Sequence, residues 1–295
     1  MARQFYTLDV FADRAFAGNP LAVVLDAQGL DDAAMQTIAR EFNLSETVFV
    51  FEPRNPINTA ALRIFTPVRE LPFAGHPTVG TACLLAHLRA RELLAAQDLR
   101  IVLEERIGEV VCVARHRRGQ ALASYFTLPR LPEPAGDAPP VADLAEGLGL
   151  QAGDIGFGAH VPSVWGVGAP HIFVPLASLE ALARADPRKK AWGADGGASV
   201  YLYCPVGPER FRARMFAGGW GIVEDPATGS AAAAFAGVAM SFAPPGEGDH
   251  MLMIEQGVEM GRPSLISLGL EVEGGVLRAA TVGGSAVIVS EGRLL

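Results

Sequence analysis

Lysine is almost absent from this 295-residue chain, which contains only Lys189 and Lys190, adjacent to each other in a polar stretch. A lysine that forms a Schiff base with pyridoxal phosphate normally lies in a desolvated pocket, which this pair does not suggest. The sequence also lacks the phosphate-binding pattern G-x-x-x-x-G-K-[ST], and "GVGAPH" at 166–171 lacks the spacing of a dinucleotide-binding loop. These absences predict a protein without a cofactor.

Cysteine is scarce as well. Cys83, Cys112 and Cys204 are far apart in the sequence, odd in number and set among apolar residues, which disfavours both a disulfide framework and a zinc cluster. The six histidines include no pair at metal-binding spacing on a helix face. We therefore expect no metal site, and we expect Cys83 to be a core residue rather than a reactive thiolate.

A surplus of positive charge and long apolar runs are also missing. The net charge of −8 argues against a nucleic-acid partner, because a phosphate-binding face needs a basic surplus. The one dense basic run, "RHRRG" at 115–119, lies between alternating apolar segments and predicts a hairpin turn. The start "MARQFYTLDVF" has no apolar signal-peptide core, and no run is long enough to span a bilayer. We expect a cytoplasmic protein without a membrane partner.

The sequence does contain an internal repeat. Half of the residues are hydrophobic, and the length suggests about two domains. Three pairs of segments match in order, 149 to 151 positions apart: "GNPLAVV" (18–24) with "GAPHIFV" (168–174), "RIF" (63–65) with "RMF" (214–216), and "HPTVGTA" (76–82) with "DPATGSA" (225–231). This order favours duplication over chance, and it predicts two similar domains with a cleft where like elements face each other.

The coarse secondary structure is mixed. "LDDAAMQTIAREFN" has apolar residues at helical spacing, with Asp31 and Asp32 at its start and Asn43 at its end. "ETVFVF" predicts a strand buried on both faces. Helices are expected after Gly80 and Gly229, and the second is so apolar that a sheet must enclose it. The Pro-rich segment 129–150 predicts a hinge between the halves.

The paired turns are the first candidates for chemistry. Free N–H groups at a helix start hold an anion, so two such starts facing one cleft would hold a carboxylate. Asp225 and His76 could alternatively be helix caps. The repeat favours function, because nothing about capping requires a histidine.

Glu46 is the third candidate, at the mouth of the doubly buried strand. A carboxyl group half-drawn into an apolar pocket has a raised pKa and can exchange a proton near neutral pH. A solvated glutamate at a strand end is the alternative.

Four blocks of the sequence resemble the signature of the phenazine-biosynthesis PhzF-like isomerase family. They are "DVFADRAFAGNPLAVV", "FNLSETVFV", "RIFTPVRELPFAGHPTVG" and "EDPATGSAAAA", and they lie between residues 8 and 239. The resemblance implies an α+β fold of the diaminopimelate-epimerase type, in which two pseudo-symmetric domains each wrap a mixed sheet or barrel round a central helix. It also implies that the active site lies between the domains, and that a proton is moved without a cofactor. The best-studied members isomerise trans-2,3-dihydro-3-hydroxyanthranilate.

The resemblance carries the family's catalytic residues onto Glu46, His76 and Asp225, with the family's serine on Ser230. Glu46 is the expected proton carrier, and His76 and Asp225 are expected to flank it. The expected substrate-binding residues are Asn19, Gly75, Gly80, Thr81, Gly229 and Ser230.

The epimerases that share this layout carry a cysteine at each of the two facing turns. Here the turns carry His76 and Asp225, so racemisation by two thiols is disfavoured.

The expected domains are residues 1–128 with 284–295 returning, and residues 129–283. The expected partner is a small-molecule carboxylate that is unsaturated or cyclic, and a homodimer is left open. A non-catalytic small-molecule-binding or protein-interaction member of the same fold is the alternative function.

Overall fold

The structure, a computed structural model, describes residues 2–187, 198–217 and 222–295. Lys189 and Lys190, which bear on the cofactor expectation, lie outside the described residues. The chain divides into two compact units, the first formed by Met1–Thr127 with Gly283–Leu295 and the second by Leu128–Val282. None of the helices within the described ranges has the length and apolar character needed to cross a membrane.

Both units consist of strands and a few helices. The helices are α1 (Asp32–Phe42), α2 (Gly75–Ala96), α3 (Val141–Leu148), α4 (Leu179–Arg184) and α5 (Gly229–Phe242). The strands are β1 (Arg3–Val10), β2 (Asn19–Val24), β3 (Glu46–Phe51), β4 (Ala60–Phe65), β5 (Glu70–Leu71), β6 (Leu99–Glu105), β7 (Gly108–Arg115), β8 (Ala123–Thr127), β9 (Glu133–Pro134), β10 (Ser163–Val167), β11 (Ala169–Pro175), β12 (Ser199–Gly207), β13 (Arg210–Ala217), β14 (Ile222–Asp225), β15 (Gly248–Gln256), β16 (Ser264–Glu273) and β17 (Val276–Leu294).

The first unit is a mixed sheet that closes round α2. The strands pair in the order β1–β2–β3–β4–β6–β7–β8–β17, and β17 returns to pair with β1. The β2–β3 and β4–β6 pairs are parallel, whereas the β1–β2, β3–β4, β6–β7 and β7–β8 pairs are antiparallel. Helix α2 contacts six of these strands, and residues 75–86 at its N-terminal end are all buried.

The second unit repeats this pattern of pairing. The β11–β12 and β13–β15 pairs are parallel, and the β10–β11, β12–β13 and β15–β16 pairs are antiparallel. Helix α5 packs against β9, β10, β11 and β16, and its residues from Ala231 to Ala239 are buried. In each unit, therefore, an apolar helix lies inside a mixed sheet, and the expected α+β class is confirmed.

Several local predictions are confirmed. Asp31 caps α1 by accepting a hydrogen bond from the Ala34 amide at 2.8 Å, and Asn43 ends the helix in the left-handed conformation. Strand β3 is buried on both faces along residues 47–50. The basic run at 115–119 joins the antiparallel strands β7 and β8 as an exposed turn.

One predicted boundary was wrong. Helix α2 begins at Gly75, five residues before Gly80, whereas α5 begins at Gly229 as expected. The Pro-rich segment 129–150 contains α3 (Val141–Leu148), and its role as a hinge between the halves stays a prediction. The two aligned motifs therefore start their helices at different places, for a reason that lies in the hydrogen bonds around Asp225, described below.

Gly80 lies inside α2, where it lets the helix approach the sheet. A Cβ atom at this position would come within 2.6 Å of Val10 Cγ2 and 2.7 Å of Leu21 Cδ2. Both partners belong to strands of the same unit, β1 and β2, so Gly80 sets how closely the start of α2 packs on them.

We predict that Gly80→Ala lowers the stability of the protein. The added methyl group overpacks a closed contact, which typically costs about 1–3 kcal/mol. Gly153→Ala is the matched control, because a Cβ at Gly153 would meet nothing within 4 Å. Urea unfolding of both variants measures the difference, and equal midpoints for the two would contradict this account of Gly80.

Candidate active site

Glu46 is the first residue of β3, the strand that pairs in parallel with β2. The register places Glu46 beside Leu21, at the end of the sheet where the central helix begins its first turn. The Glu46 side chain is 13% exposed. It is therefore drawn into the unit rather than solvated, which disfavours the alternative of an ordinary strand-end glutamate.

His76 is the second residue of α2 and is buried. Its Nδ1 atom lies 3.4 Å from Glu46 Oε2, although 30 residues separate the two in sequence. Polar contacts at catalytic centres are often long until substrate binds. The structure therefore brings together the two candidate catalytic residues of the first unit.

The His76 imidazole is neutral at physiological pH. Burial lowers the pKa of His76 from its ordinary value near 6.5 to about 3, because the imidazolium form would lose its hydration. The contact with Glu46 is consequently not an ion pair. A neutral imidazole carries one N–H donor and one acceptor, so it can exchange hydrogen bonds with both Glu46 and a ligand.

The expected substrate-binding residues of the first unit lie in different parts of β2 and α2. Asn19 opens β2 and is fully buried. The amide of Thr78 already donates to the Ala74 carbonyl, so the amides that precede this first helical bond are those of Gly75 and His76. Gly80 and Thr81 lie further along the helix, where amides serve the helical ladder. The expectation that the Gly80–Thr81 amides bind an anion loses its structural basis.

Asp225 ends β14 and belongs to a buried network of the second unit. Its Oδ2 accepts from Thr228 Oγ1 at 2.6 Å, and its backbone carbonyl accepts from Gln256 Nε2 at 2.7 Å. Gln256 Oε1 in turn accepts from the Thr228 amide at 3.2 Å and the Tyr201 hydroxyl at 3.1 Å. Because Gln256 takes the Thr228 amide, the segment after Asp225 does not wind into a helical turn, and α5 starts only at Gly229.

Ser230 is the second residue of α5, beside a buried histidine. His171 Nε2 lies 3.1 Å from Ser230 Oγ, and His171 Nδ1 lies 2.6 Å from Ser199 Oγ. Burial lowers the pKa of His171 to about 4, so this imidazole is neutral as well. Thr228 precedes the helix without capping it through its side chain, so the first amides of α5 receive no hydrogen bond from that side chain.

The sequence analysis missed His171, Ser199 and Gln256. His171 occupies the place in "GAPHIFV" that Leu21 occupies in "GNPLAVV", and this polar replacement was the available signal. Ser199 pairs with His171 across parallel strands, just as Glu46 pairs with Leu21. Ser199 therefore stands in the second unit where Glu46 stands in the first.

The expectations for cysteine and metal can be compared with the structure directly. Cys83, Cys112 and Cys204 are buried and form no disulfide. Burial raises the pKa of the Cys83 thiol, which keeps it protonated and agrees with a core role. Across the described ranges, no group of three or more His, Cys, Asp or Glu side chains could hold a metal ion.

The convergence of Glu46 and His76 with Asp225 on one cleft stays a prediction.

Comparison with known proteins identifies relatives along the whole chain. The family model described as "Phenazine biosynthesis-like protein" matches residues 8–292. An "uncharacterized isomerase" of Mesorhizobium japonicum is 49% identical over 99% of this chain and 98% of its own length. The trans-2,3-dihydro-3-hydroxyanthranilate isomerase of Pseudomonas chlororaphis is 36% identical over 99% of both chains.

Solved structures agree with these relatives. A phenazine biosynthesis protein of the PhzF family from Bacillus anthracis superposes with a TM-score of 0.86, at 25% identity, over 100% of this chain and 99% of its own. A hydroxyproline epimerase from Agrobacterium vitis shares the fold, with a TM-score of 0.63 at 13% identity over 99% of this chain and 91% of its own. The expected epimerase-like fold is therefore confirmed.

The two neutral histidines predict how stability depends on acid. His76 and His171 have folded-state pKa values of about 3 and about 4, below the ordinary 6.5. Below pH 6.5 these two histidines bind protons in the unfolded chain but not in the folded chain. The free energy of unfolding should therefore fall as pH falls toward 4. Each such histidine contributes up to about 1.4 kcal/mol per pH unit.

Urea unfolding at pH 7, 6, 5 and 4 tests this prediction. His171→Gln should flatten the pH dependence of the free energy of unfolding relative to the wild type. A wild-type pH dependence that survives intact in His171→Gln would show that this imidazole is not held neutral.

Proposed function

The chain belongs to the PhzC-PhzF family of phenazine biosynthesis-like proteins and is an isomerase, and we propose that it moves a proton on a small carboxylate-bearing substrate without a cofactor. The substrate is unsaturated or cyclic. The observation that carries this proposal is the juxtaposition of Glu46 and a neutral His76, 3.4 Å apart in a buried environment.

Glu46 is the proposed proton carrier. Its carboxylate removes a proton from a substrate carbon next to an unsaturated group, over which the resulting negative charge spreads. The carboxylic acid so formed returns the same proton to another carbon on the same face. One proton is taken and one is given back, so the product is an isomer and Glu46 ends as a carboxylate.

His76 supports this step without carrying charge. The Nδ1 atom faces Glu46, and Nε2 is buried with no hydrogen-bond partner in the part of the chain that the structure describes. We assign Nε2 to a hydroxyl or amine group of the substrate. A protonated imidazole would stabilise the Glu46 carboxylate and weaken it as a base, so the neutral form suits proton removal.

Ser230 is proposed to bind a carboxylate through its hydroxyl. If Ser199 donates to His171 Nδ1, then His171 carries its proton on Nε2 and donates to Ser230 Oγ. The Ser230 hydrogen is then available for an anion, together with the amides at the start of α5. Asp225 is proposed to hold a substrate amine or hydroxyl, since its own network keeps it in place.

The first compound to test is trans-2,3-dihydro-3-hydroxyanthranilate, because the Pseudomonas chlororaphis relative is named as an isomerase of this compound. This molecule combines a carboxylate, an amine, a hydroxyl group and ring unsaturation, which are the groups that the proposed residues address. If the protein does not turn it over, other unsaturated or cyclic carboxylates form the next panel. Epimerisation by paired thiols is not supported, because neither motif contains a cysteine.

We predict that Glu46→Gln abolishes turnover while the fold and ligand affinity persist. Glutamine keeps the shape of the side chain but cannot accept and return a proton, and such groups contribute about 10²–10⁴-fold to rate. Glu52→Gln is the matched control, because Glu52 is exposed just beyond the opposite end of the same strand. Product formation and ligand-induced thermal shift are measured for both variants.

Near-normal turnover in Glu46→Gln would show that another group carries the proton. Ligand binding without turnover in the wild-type protein would instead favour a small-molecule-binding member of the fold.

We predict that Ser230→Ala weakens the binding of carboxylate ligands. The loss of one hydrogen bond to a charged group should cost about 1.5–3 kcal/mol of binding free energy. Isothermal titration with a carboxylate ligand and with its methyl ester separates this effect from general damage. The ester offers only a neutral carbonyl oxygen, so it should lose less affinity than the acid, and an equal loss for acid and ester would contradict the assignment.

A further inference from the structure

Glu105 is a buried carboxyl group that the proposed proton transfer does not use. It ends β6 in the first unit and is 3% exposed. Its Oε1 atom lies 2.7 Å from Thr78 Oγ1, in the first turns of α2 and two residues beyond His76.

The hydrogen bonds around Thr78 favour a proton on Glu105. Thr78 Oγ1 lies 2.8 Å from the Ala74 carbonyl oxygen and 2.7 Å from Glu105 Oε1. A hydroxyl group has one hydrogen, so it can donate to only one of these two oxygens. Both contacts are satisfied if Thr78 donates to Ala74 and a protonated Glu105 donates to Thr78. An ionised Glu105 would compete with the carbonyl for the same hydrogen.

The surroundings of Glu105 also favour the protonated acid. Its Oε2 is buried and has no hydrogen-bond partner within the described residues, a costly arrangement for a carboxylate. Burial raises the pKa of Glu105 from 4.5 to about 8, and a hydrogen bond from Thr78 to the ionised carboxylate would offset only part of that rise.

Among the residues that the structure describes, the groups that face Glu105 bring no compensating charge. Strand β7 contributes the Cys112 thiol, whose pKa is raised by burial. Helix α2 contributes Thr78 and the buried Cys83, and β8 contributes the Ser124 hydroxyl next to Cys112. Neighbouring Glu104 bonds Arg54 and Asn58, and β4 pairs with β6 through alanines.

The second unit contains a similar arrangement with an amide in place of the acid, at a threonine one position further along the aligned motif, because Thr228 aligns with Val79. Strand β15 occupies the place of β6 in the repeated topology and ends at Gln256 as β6 ends at Glu105. Gln256 Nε2 donates to Thr228 Oγ1 at 2.9 Å, and Thr228 Oγ1 donates to Asp225 at 2.6 Å. A donor at the end of the strand, a threonine and an acceptor recur in the two units. Glutamine is the uncharged counterpart of a protonated glutamate.

We propose that Glu105 is a positioning residue that works as a protonated acid, donating to Thr78 and thereby fixing the turn of α2 that carries His76. Its effect on catalysis rests on the proposed role of His76, whereas its protonation state does not. When Glu105 ionises in mild alkali it can no longer donate, and the carboxylate draws the Thr78 hydroxyl away from the Ala74 carbonyl, so that only the Thr78 amide still closes the turn. Mild alkali should therefore loosen the turn that carries His76 by ionising Glu105, a group that does not take part in the proton transfer.

The sign of the stability effect follows from the raised pKa. The folded protein keeps a proton on Glu105 at pH values where the unfolded chain has released it. The stability due to the protonated form is therefore complete below about pH 4.5 and is lost as pH rises toward 8. Glu105→Gln removes this titration, because the amide donates to Thr78 at every pH.

The test compares wild type, Glu105→Gln and Glu104→Gln. Glu104 is the matched control, a neighbouring carboxyl whose pKa is lowered to about 2 by hydrogen bonds from Asn55, Asn58 and Arg54. Infrared spectra of the wild type at pH 6.5 should show a protonated carboxyl band that fades by pH 9. The band should be absent in Glu105→Gln, present in Glu104→Gln and shifted in Thr78→Val. Urea unfolding should show less loss of stability between pH 5 and 8 in Glu105→Gln than in wild type.

Activity gives a separate readout where a substrate is turned over. The alkaline fall in kcat, expected near pH 8 in wild type and Glu104→Gln, should move to higher pH in Glu105→Gln, and Glu105→Ala should lose kcat at all pH values. A protonated carboxyl band that persists in Glu105→Gln, or an unchanged pH profile of stability, would overturn the proposal. If the protein turns over no tested substrate, the infrared and unfolding results still decide the state of Glu105.

Discussion

The removal of His76 from water is the constraint on which the candidate site of the first unit depends. A buried imidazole cannot hold a charge cheaply, so it stays neutral beside Glu46. This neutrality leaves Glu46 a competent base and gives His76 a second nitrogen for a ligand. The burial itself comes from α2, whose small residues let the helix sink into the surrounding strands, as the close approach of Gly80 to Val10 and Leu21 shows.

The two units share one pattern of strand pairing but carry different polar groups at matching positions. The parallel pair β2–β3 sets Leu21 beside Glu46, and the parallel pair β11–β12 sets His171 beside Ser199. The turns before the central helices likewise carry His76 in one unit and Asp225 in the other. The backbone pairing is retained while the chemistry at matching positions differs, which fits a repeated fold in which each unit has its own role.

The sequence was informative where a signal is local. The repeat predicted matching segments, the apolar character of "SAAAAFAGVAMSF" predicted the enclosed α5, and "ETVFVF" predicted the doubly buried β3. It was uninformative where a contact depends on strand register. His171 meets Ser199, and Glu105 meets Thr78, only after strands and helices far apart in sequence have packed. The start of α2 was misplaced because the aligned motifs suggested that both helices start at the same place. In the second unit, however, the Thr228 amide donates to the Gln256 side chain instead of joining a helical turn.

The charge of His76 tests the central claim most directly. The imidazole nitrogens can be observed by NMR in ¹⁵N-histidine-labelled protein, with the His76 signals assigned by their loss in His76→Gln. We predict that both nitrogens keep the shifts of one neutral tautomer from pH 8 to pH 5, because the pKa of His76 is about 3. A titration centred near pH 6.5 would contradict the account, since His76 would then be a solvated, ionisable group and its contact with Glu46 an ordinary ion pair.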